Sequence, residues 1–225
     1  MLTQFAVVAL CLADLCQAQR LRDLESVSKI KKGDAVVIGF LGGFEKWNDD
    51  HRSVRKVVLN LRTLPGVHSE SISNHNLSTA VKFIAHAAAE HPRVVIFGQS
   101  LGGNATVELA RILRQRHIPV LLTAQVDSVG MRDGVIPDNV RAAVNYYQHN
   151  PLTIWGRSEI RAADPFFTRI IGNYERQYAM FDSSYEGTGT SWARRHLGGG
   201  HARMEADTAL WTEVERFIRQ ALTQR

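Results

Sequence analysis

The residues with the clearest chemical meaning are Gly98-Gln99-Ser100-Leu101-Gly102-Gly103, a Gly-x-Ser-x-Gly run. It follows the apolar stretch Val94-Val95-Ile96-Phe97 directly and precedes Asn104-Ala105-Thr106-Val107-Glu108-Leu109, which reads as helix. Strand, tight turn and helix in that order are what a nucleophile elbow requires: small residues let the turn pinch until the serine oxygen stands exposed at the sheet edge. A serine hydroxyl is a poor nucleophile by itself. It needs a base to take its proton and a third group to orient that base. The competing reading is a tight strand–helix connection with packing glycines and an idle serine; the strand–turn–helix setting favours the chemical one.

Other motifs carry less. Ser26-Val27-Ser28-Lys29 has a Ser-x-x-Lys spacing without a helical setting or companion motifs. The pairs Gly42-Gly43 and Gly102-Gly103 form neither a dinucleotide fingerprint nor a phosphate loop. His196 and His201 flank Leu197-Gly198-Gly199-Gly200, but no cysteine or clustered carboxylate supplies further ligands, so neither a metal centre nor a cofactor is expected. Tyr146, Tyr147, Trp155, Phe166 and Phe167 are expected in the core or rim, as packing more than as a substrate platform.

Regular alternation of elements must position the elbow. Residues 35–40 are a continuous apolar run ending at Gly42-Gly43, as a buried parallel strand would be. Asp49 or Asp50 is placed to cap a helix carrying Val54, Val57, Val58 and Leu61, which stops at Pro65-Gly66. Residues 67–72 alternate weakly as a second strand, and Leu77, Ala80, Val81, Ile84, Ala85 and Ala88 predict a helix from Asn76 to about Glu90. A strand over 93–98, a helix carrying Val107, Leu109, Ala110, Ile112 and Leu113, and strands over 119–126 and 142–148 follow. A last helix from about Asp207 presents Leu210, Trp211, Val214, Phe217, Ile218 and Leu222 on one face. This pattern predicts an α/β fold, a mostly parallel sheet with helices on both faces and right-handed crossovers. No repeat or linker divides it, so residues 19–225 are expected to form one domain.

With these features the chain resembles the α/β-hydrolase superfamily from about residue 33 onward, and within it the small lidless serine esterases, lipases and thioesterases of cutinase-like size. Val36-Val37-Ile38-Gly39-Phe40-Leu41-Gly42-Gly43 is similar to the family's His-Gly-Phe-x-Gly oxyanion loop, with Ile38 where histidine usually stands. Oxyanion donors are backbone N–H groups, so that departure leaves the chemistry intact. The resemblance implies donors at Phe40 and Leu101, with Leu41 as the fallback for Phe40. The stretch between Val126 and Ala142 is too short for the cap domain that many relatives insert there, so an open site is expected.

The family order of nucleophile, acid and histidine sets the remaining assignments. After Ser100 the histidines are His149, His196 and His201. His201 is preferred, because a helix begins a few residues later as in the family's loop-then-final-helix layout; His196 is the alternative. For the acid, Asp127 stands first past the end of the 119–126 strand, where parallel sheets place catalytic groups. The commoner family position, after the next strand, holds His149-Asn150-Pro151 and no carboxylate before Glu159. Asp133, Asp138, Asp164 and Asp182 are the competitors. The resemblance thus implies a serine hydrolase acting on esters or thioesters through Ser100, Asp127 and His201. The alternative is a hydrolase-fold protein with a non-hydrolytic binding or acyl-transfer role.

Composition narrows the context. The 225 residues are 44% hydrophobic and 22% charged with 17 Gly and 6 Pro, which excludes collagen-like and disordered chains and leaves ample apolar material for a core. The net charge of +5 is diffuse and its basic clusters lack interleaved aromatics, so no nucleic-acid partner is expected. Weak peripheral contact with anionic surfaces is what such a charge allows. Residues 5–12 form an apolar core of signal-peptide length, followed by Cys16-Gln17-Ala18 in a small-x-small pattern. A signal peptide over 1–18, cleaved near Ala18, and a secreted or periplasmic location are therefore expected. Both cysteines, Cys11 and Cys16, fall inside that segment, so the mature domain would rely on its core without disulfides.

Overall fold

The apolar runs become strands and the amphipathic stretches become the helices that cover them. The computed structural model describes residues 19–24, 30–43, 45–87, 92–149, 155–178 and 199–223. In chain order the elements are β1 (Ala35–Leu41), α1 (Ser53–Arg62), β2 (Val67–Ser73), α2 (Leu77–Ala87), β3 (Arg93–Gln99), α3 (Leu101–Gln115) and β4 (Val120–Val126). They continue with β5 (Val135–Ile136), β6 (Val140–Tyr147), β7 (Arg161–Ala162), β8 (Arg169–Glu175), α4 (Gly199–Ala206) and α5 (Thr208–Thr223). The main sheet has the order β2-β1-β3-β4-β6-β8, and every pairing in it is parallel. β5 and β7 form a separate two-stranded parallel ribbon.

Each face of the sheet carries its own apolar layer. On one side Val36, Ile38 and Phe40 of β1 pack with Phe83 and Ile84 of α2 and Val107, Leu109 and Leu113 of α3. On the other, Val37 and Leu41 pack with Val54, Val58 and Leu61 of α1 and Leu210, Val214 and Ile218 of α5. All seven residues of β1 are buried, which is why it reads as an unbroken apolar run rather than an alternating one. This is the parallel α/β sandwich expected, with helices on both faces. The chain runs outward from β1 to β2, then crosses back over β1 to β3, so strand order reverses between β1 and β3. Ligands of such sheets bind beyond the carboxyl ends of the strands at that reversal. Ser100 stands there, one residue past β3. Among the described residues no cap domain lies over this end.

Three details differ from expectation. α1 begins at Ser53, and neither Asp49 nor Asp50 caps it: Asp49 accepts from the His51 N–H instead. The N-terminal N–H of Ser53 donates to Glu205 Oε1 at 3.1 Å, and Ser53 Oγ donates to the Glu205 carbonyl at 2.6 Å, a cap supplied from 152 residues away. The edge strand β8 was not anticipated, because Arg169-Ile170-Ile171-Gly172-Asn173-Tyr174-Glu175 is partly exposed along its length and has no continuous apolar run. Third, Phe166 and Phe167 are neither core nor rim of the elbow end. They are exposed on the turn before β8, at the opposite end of the sheet. The signal-peptide stretch, Ser26–Lys29, His196 and Asp182 lie outside the described residues.

Candidate active site

The elbow begins with sterics. Ser100 has φ 56 and ψ −125, backbone that side chains rarely adopt. Such strain costs on the order of 1–3 kcal/mol and persists only where surrounding structure dictates it. Here the flanking glycines do so. A Cβ on Gly102 would fall 2.2 Å from the Phe40 carbonyl oxygen, and one on Gly98 would fall 2.4 Å from that of Gly102. Both contacts are with backbone, so the turn can close to this degree only with glycine before and after the serine. The Ser100 N–H donates to the Val126 carbonyl at 2.9 Å, and the Ser100 carbonyl accepts from Gly103 and Val129. Leu101 is the first residue of α3, whose opening N–H groups have no intrahelical acceptor and point out of the helix end.

Asp127 occupies the neighbouring strand end. Gln99 of β3 pairs with Val126 of β4, so Ser100 and Asp127 leave the sheet side by side. Asp127 also has a positive φ, 45°. Among the described non-glycine residues the third positive φ belongs to His117, the left-handed residue that ends α3 with paired bonds from His117 to Arg114 and from Ile118 to Leu113. The two residues without such a terminus to explain them are both at this site. The Asp127 side chain is wholly buried and its oxygens are filled by donors. Gly156 N–H donates to Oδ1 at 2.6 Å; Gln148 Nε2 and His201 Nδ1 donate to Oδ2 at 3.0 and 2.6 Å. A Cβ on Gly156 would lie 2.3 Å from the Asp127 carbonyl carbon, so that donor reaches the carboxylate only as glycine.

The three competing carboxylates among the described residues are occupied elsewhere. Asp133 accepts from Ser128 Oγ and Arg157 Nε, Asp138 pairs with Arg114, and Asp164 caps its own turn at Phe166 N–H.

His201 reaches Asp127 from the far end of the sequence. The three glycines predicted a loop before the final helix, yet His201 lies within α4, a separate short helix. The indole N–H of Trp211 on α5 donates to the carbonyls of Met204 and Glu205 and pins the end of α4. Gly200 packs so closely on Gln148 that a Cβ would sit 2.3 Å from Gln148 Oε1. A carboxylate only accepts, so the bond to Asp127 assigns the proton to Nδ1 and leaves Nε2 as the basic nitrogen of the neutral ring. His149 instead lies 3.8 Å from Glu175 at the surface, on the edge-strand side.

The donor expected at Phe40 needs correction. β1 runs to Leu41, and Phe40 pairs with Ile72 on one side and Gly98 on the other, its ring wholly buried. A strand residue with neighbours on both sides spends its N–H on the ladder. Leu41, the fallback, is the last ladder residue, paired with Ser73. Past the strand, the Gly42 N–H donates to Glu45 Oε2 at 2.9 Å, while among the described residues the Gly43 N–H meets no acceptor. Both glycines abut the elbow: a Cβ on Gly42 would lie 3.5 Å from Ser100 Cβ, and one on Gly43 would lie 3.1 Å from Leu101 Cδ1.

Gln148, Gly156 and Glu45 were not identified from sequence. Gln148 is the last residue of the expected 142–148 strand, and no carboxylate follows it before Glu159, but an amide serving the preceding strand's carboxylate leaves no motif. Around the opening, Leu101 and Trp155 are 42% and 53% exposed. Among the described residues no group of three or more His, Cys, Asp or Glu side chains is arranged to hold a metal ion.

No family model matches the chain, and no curated protein matches it. Among solved structures, a cutinase-like protein from Cryptococcus sp. is similar over 84% of this chain and 95% of that one, with 13% identity and a TM-score of 0.48.

Proposed function

We propose that this protein is a serine hydrolase that cleaves carboxylic esters or thioesters through an acyl-enzyme on Ser100. The observation that carries this reading is the 2.6 Å bond between Asp127 and His201, with Asp127 leaving the sheet next to a serine held at φ 56. Ser100 Oγ attacks the substrate carbonyl while His201 Nε2 takes its proton, and Asp127 holds the ring and stabilises the imidazolium. The developing oxyanion is met by the Leu101 N–H at the start of α3 and, in place of Phe40, by the Gly43 N–H. Collapse of the intermediate returns the proton to the departing alcohol or thiol. A water activated by His201 then attacks the acyl carbon, releasing the acid and restoring Ser100. A strand end over which no cap domain lies among the described residues suits extended or bulky esters.

A fluorophosphonate probe tests the reading without knowledge of the substrate. Labelling of the folded protein at Ser100 is the expected result; a folded protein that stays unlabelled would turn the assignment to a non-hydrolytic role. A series of p-nitrophenyl esters of increasing chain length, run beside acyl thioesters, then separates the two substrate classes.

The proposal includes export, on the strength of the apolar stretch Phe5–Leu12 and the small residue Ala18. N-terminal sequencing of protein from the native host is expected to start near Gln19, and a soluble form that retains Met1 or Leu2 would remove the export claim.

A further inference from the structure

Arg52 joins the two sides of the site through a carboxylate on each. Its side chain is 11% exposed, and its guanidinium meets three carboxylates: Glu45 Oε1 at 3.2 Å, Asp49 Oδ2 at 3.0 Å and Glu205 Oε2 at 3.7 Å. Glu45 uses its other oxygen to accept the Gly42 N–H, and Gly42 lies against the Ser100 side chain. Glu205 stands four residues after His201 on α4, one turn along the same face, and its other oxygen caps the Ser53 N–H at the start of α1. A continuous chain of charged contacts therefore runs from the loop after β1, through Arg52, to the helix that carries the base, its last link an ion pair at 3.7 Å. Burial alone would lower the guanidinium pKa; Glu45, Glu205 and Asp49 reverse that and leave it raised.

We propose that Arg52 is a positioning residue that fixes the Gly42–Gly43 loop and the His201 helix in one mutual geometry, an inference that rests on the serine-hydrolase reading of this site. Nucleophile, oxyanion donors and base come from the loop after β1, the turn from β3 into α3, and α4, which are distant in sequence. Reaction requires them to be aligned within about an ångström, and a misplacement of that size costs on the order of 10²-fold in rate. Lysine cannot substitute: a point charge on a flexible stem does not reproduce a planar fork that holds several carboxylates at set angles.

The test uses the whole protein with Arg52→Lys, Glu45→Gln and, as a surface control, Arg114→Lys. The rate constant for fluorophosphonate labelling and the kcat for a p-nitrophenyl ester are measured together with NMR signals of the Gly42 amide and the His201 ring. Arg52→Lys is expected to lower both rates by about tenfold or more at nearly constant KM, and to move both signals, although Arg52 contacts neither residue. Glu45→Gln is expected to move the His201 signal as well as that of Gly42, and it carries the comparison should Arg52→Lys fail to fold. Arg114→Lys is expected to change nothing. A folded Arg52→Lys protein that reacts within about twofold of wild type, or one in which only one signal moves, overturns the proposal. Wild-type protein that does not react with the probe defeats the hydrolase reading alone, and the paired NMR shifts still decide whether the tie exists.

Discussion

Ser100→Ala is expected to abolish probe labelling and to reduce ester turnover by a factor on the order of 10⁶, since a triad whose nucleophile is gone keeps only what binding and the oxyanion donors supply. The fold is expected to survive, because the serine side chain sits at a turn and supports none of the two apolar layers. A companion variant separates chemistry from strain. Ser100→Gly also lacks the hydroxyl, but glycine adopts φ 56 freely. Relief of backbone strain exceeds the extra flexibility glycine brings to the unfolded chain, so Ser100→Gly is expected to be about 1 kcal/mol more stable than Ser100→Ala. Thermal melts of the two inactive variants, recorded side by side, check this. Residual turnover within about tenfold of wild type in Ser100→Ala would mean that the nucleophile lies elsewhere.

Asp127→Asn is expected to lower kcat by about 10⁴ with little change in KM. Asparagine tolerates the positive φ at this position and matches aspartate in volume, so the backbone should hold. What changes is the pattern of donors. The oxygen facing Gly156 can remain an acceptor, but the amide nitrogen would then face two donors, Gln148 Nε2 and His201 Nδ1. His201 escapes the clash by moving its proton to Nε2, and an imidazole protonated there cannot take the proton from Ser100. Steady-state kinetics of Asp127→Asn beside Asp133→Asn and Asp164→Asn decide the matter. Near wild-type turnover in the first with loss in one of the others would reassign the acid.

What could be read in advance follows from where the signals are local. The elbow was legible because the Val94–Phe97 run, the pinching glycines and the α3 face are contiguous, and one segment carries strand, turn and helix together. Asp127 was legible for a related reason, as the first residue beyond an apolar run. The donors that hold it were not: Gly156 and Gln148 are ordinary residues until folding brings them to one carboxylate. α4 was missed because three glycines argue against helix and its eight residues have no clear apolar face; it is held by Trp211 and by Ser53 rather than by its own propensity. β8 escaped because an edge strand is half exposed. The placement at Phe40 failed by the extent of one strand, since a resemblance in sequence does not say where a ladder stops, and here it continues through Leu41.

The wholly parallel sheet has a consequence in time. Each strand meets its neighbour only after a crossover, so the pairings are non-local and form slowly. Ser100 and its glycine loop belong to the part that runs from β1 to α3, whereas His201 follows by more than a hundred residues and is seated only when α4 docks against α1 and α5. On the proposed serine-hydrolase reading, an intermediate built from the earlier strands alone would display a serine without a base. Maturation would then have a silent interval in which the sheet exists and the hydroxyl is chemically inert, so that reactivity arrives as a last event and reports completion of the fold.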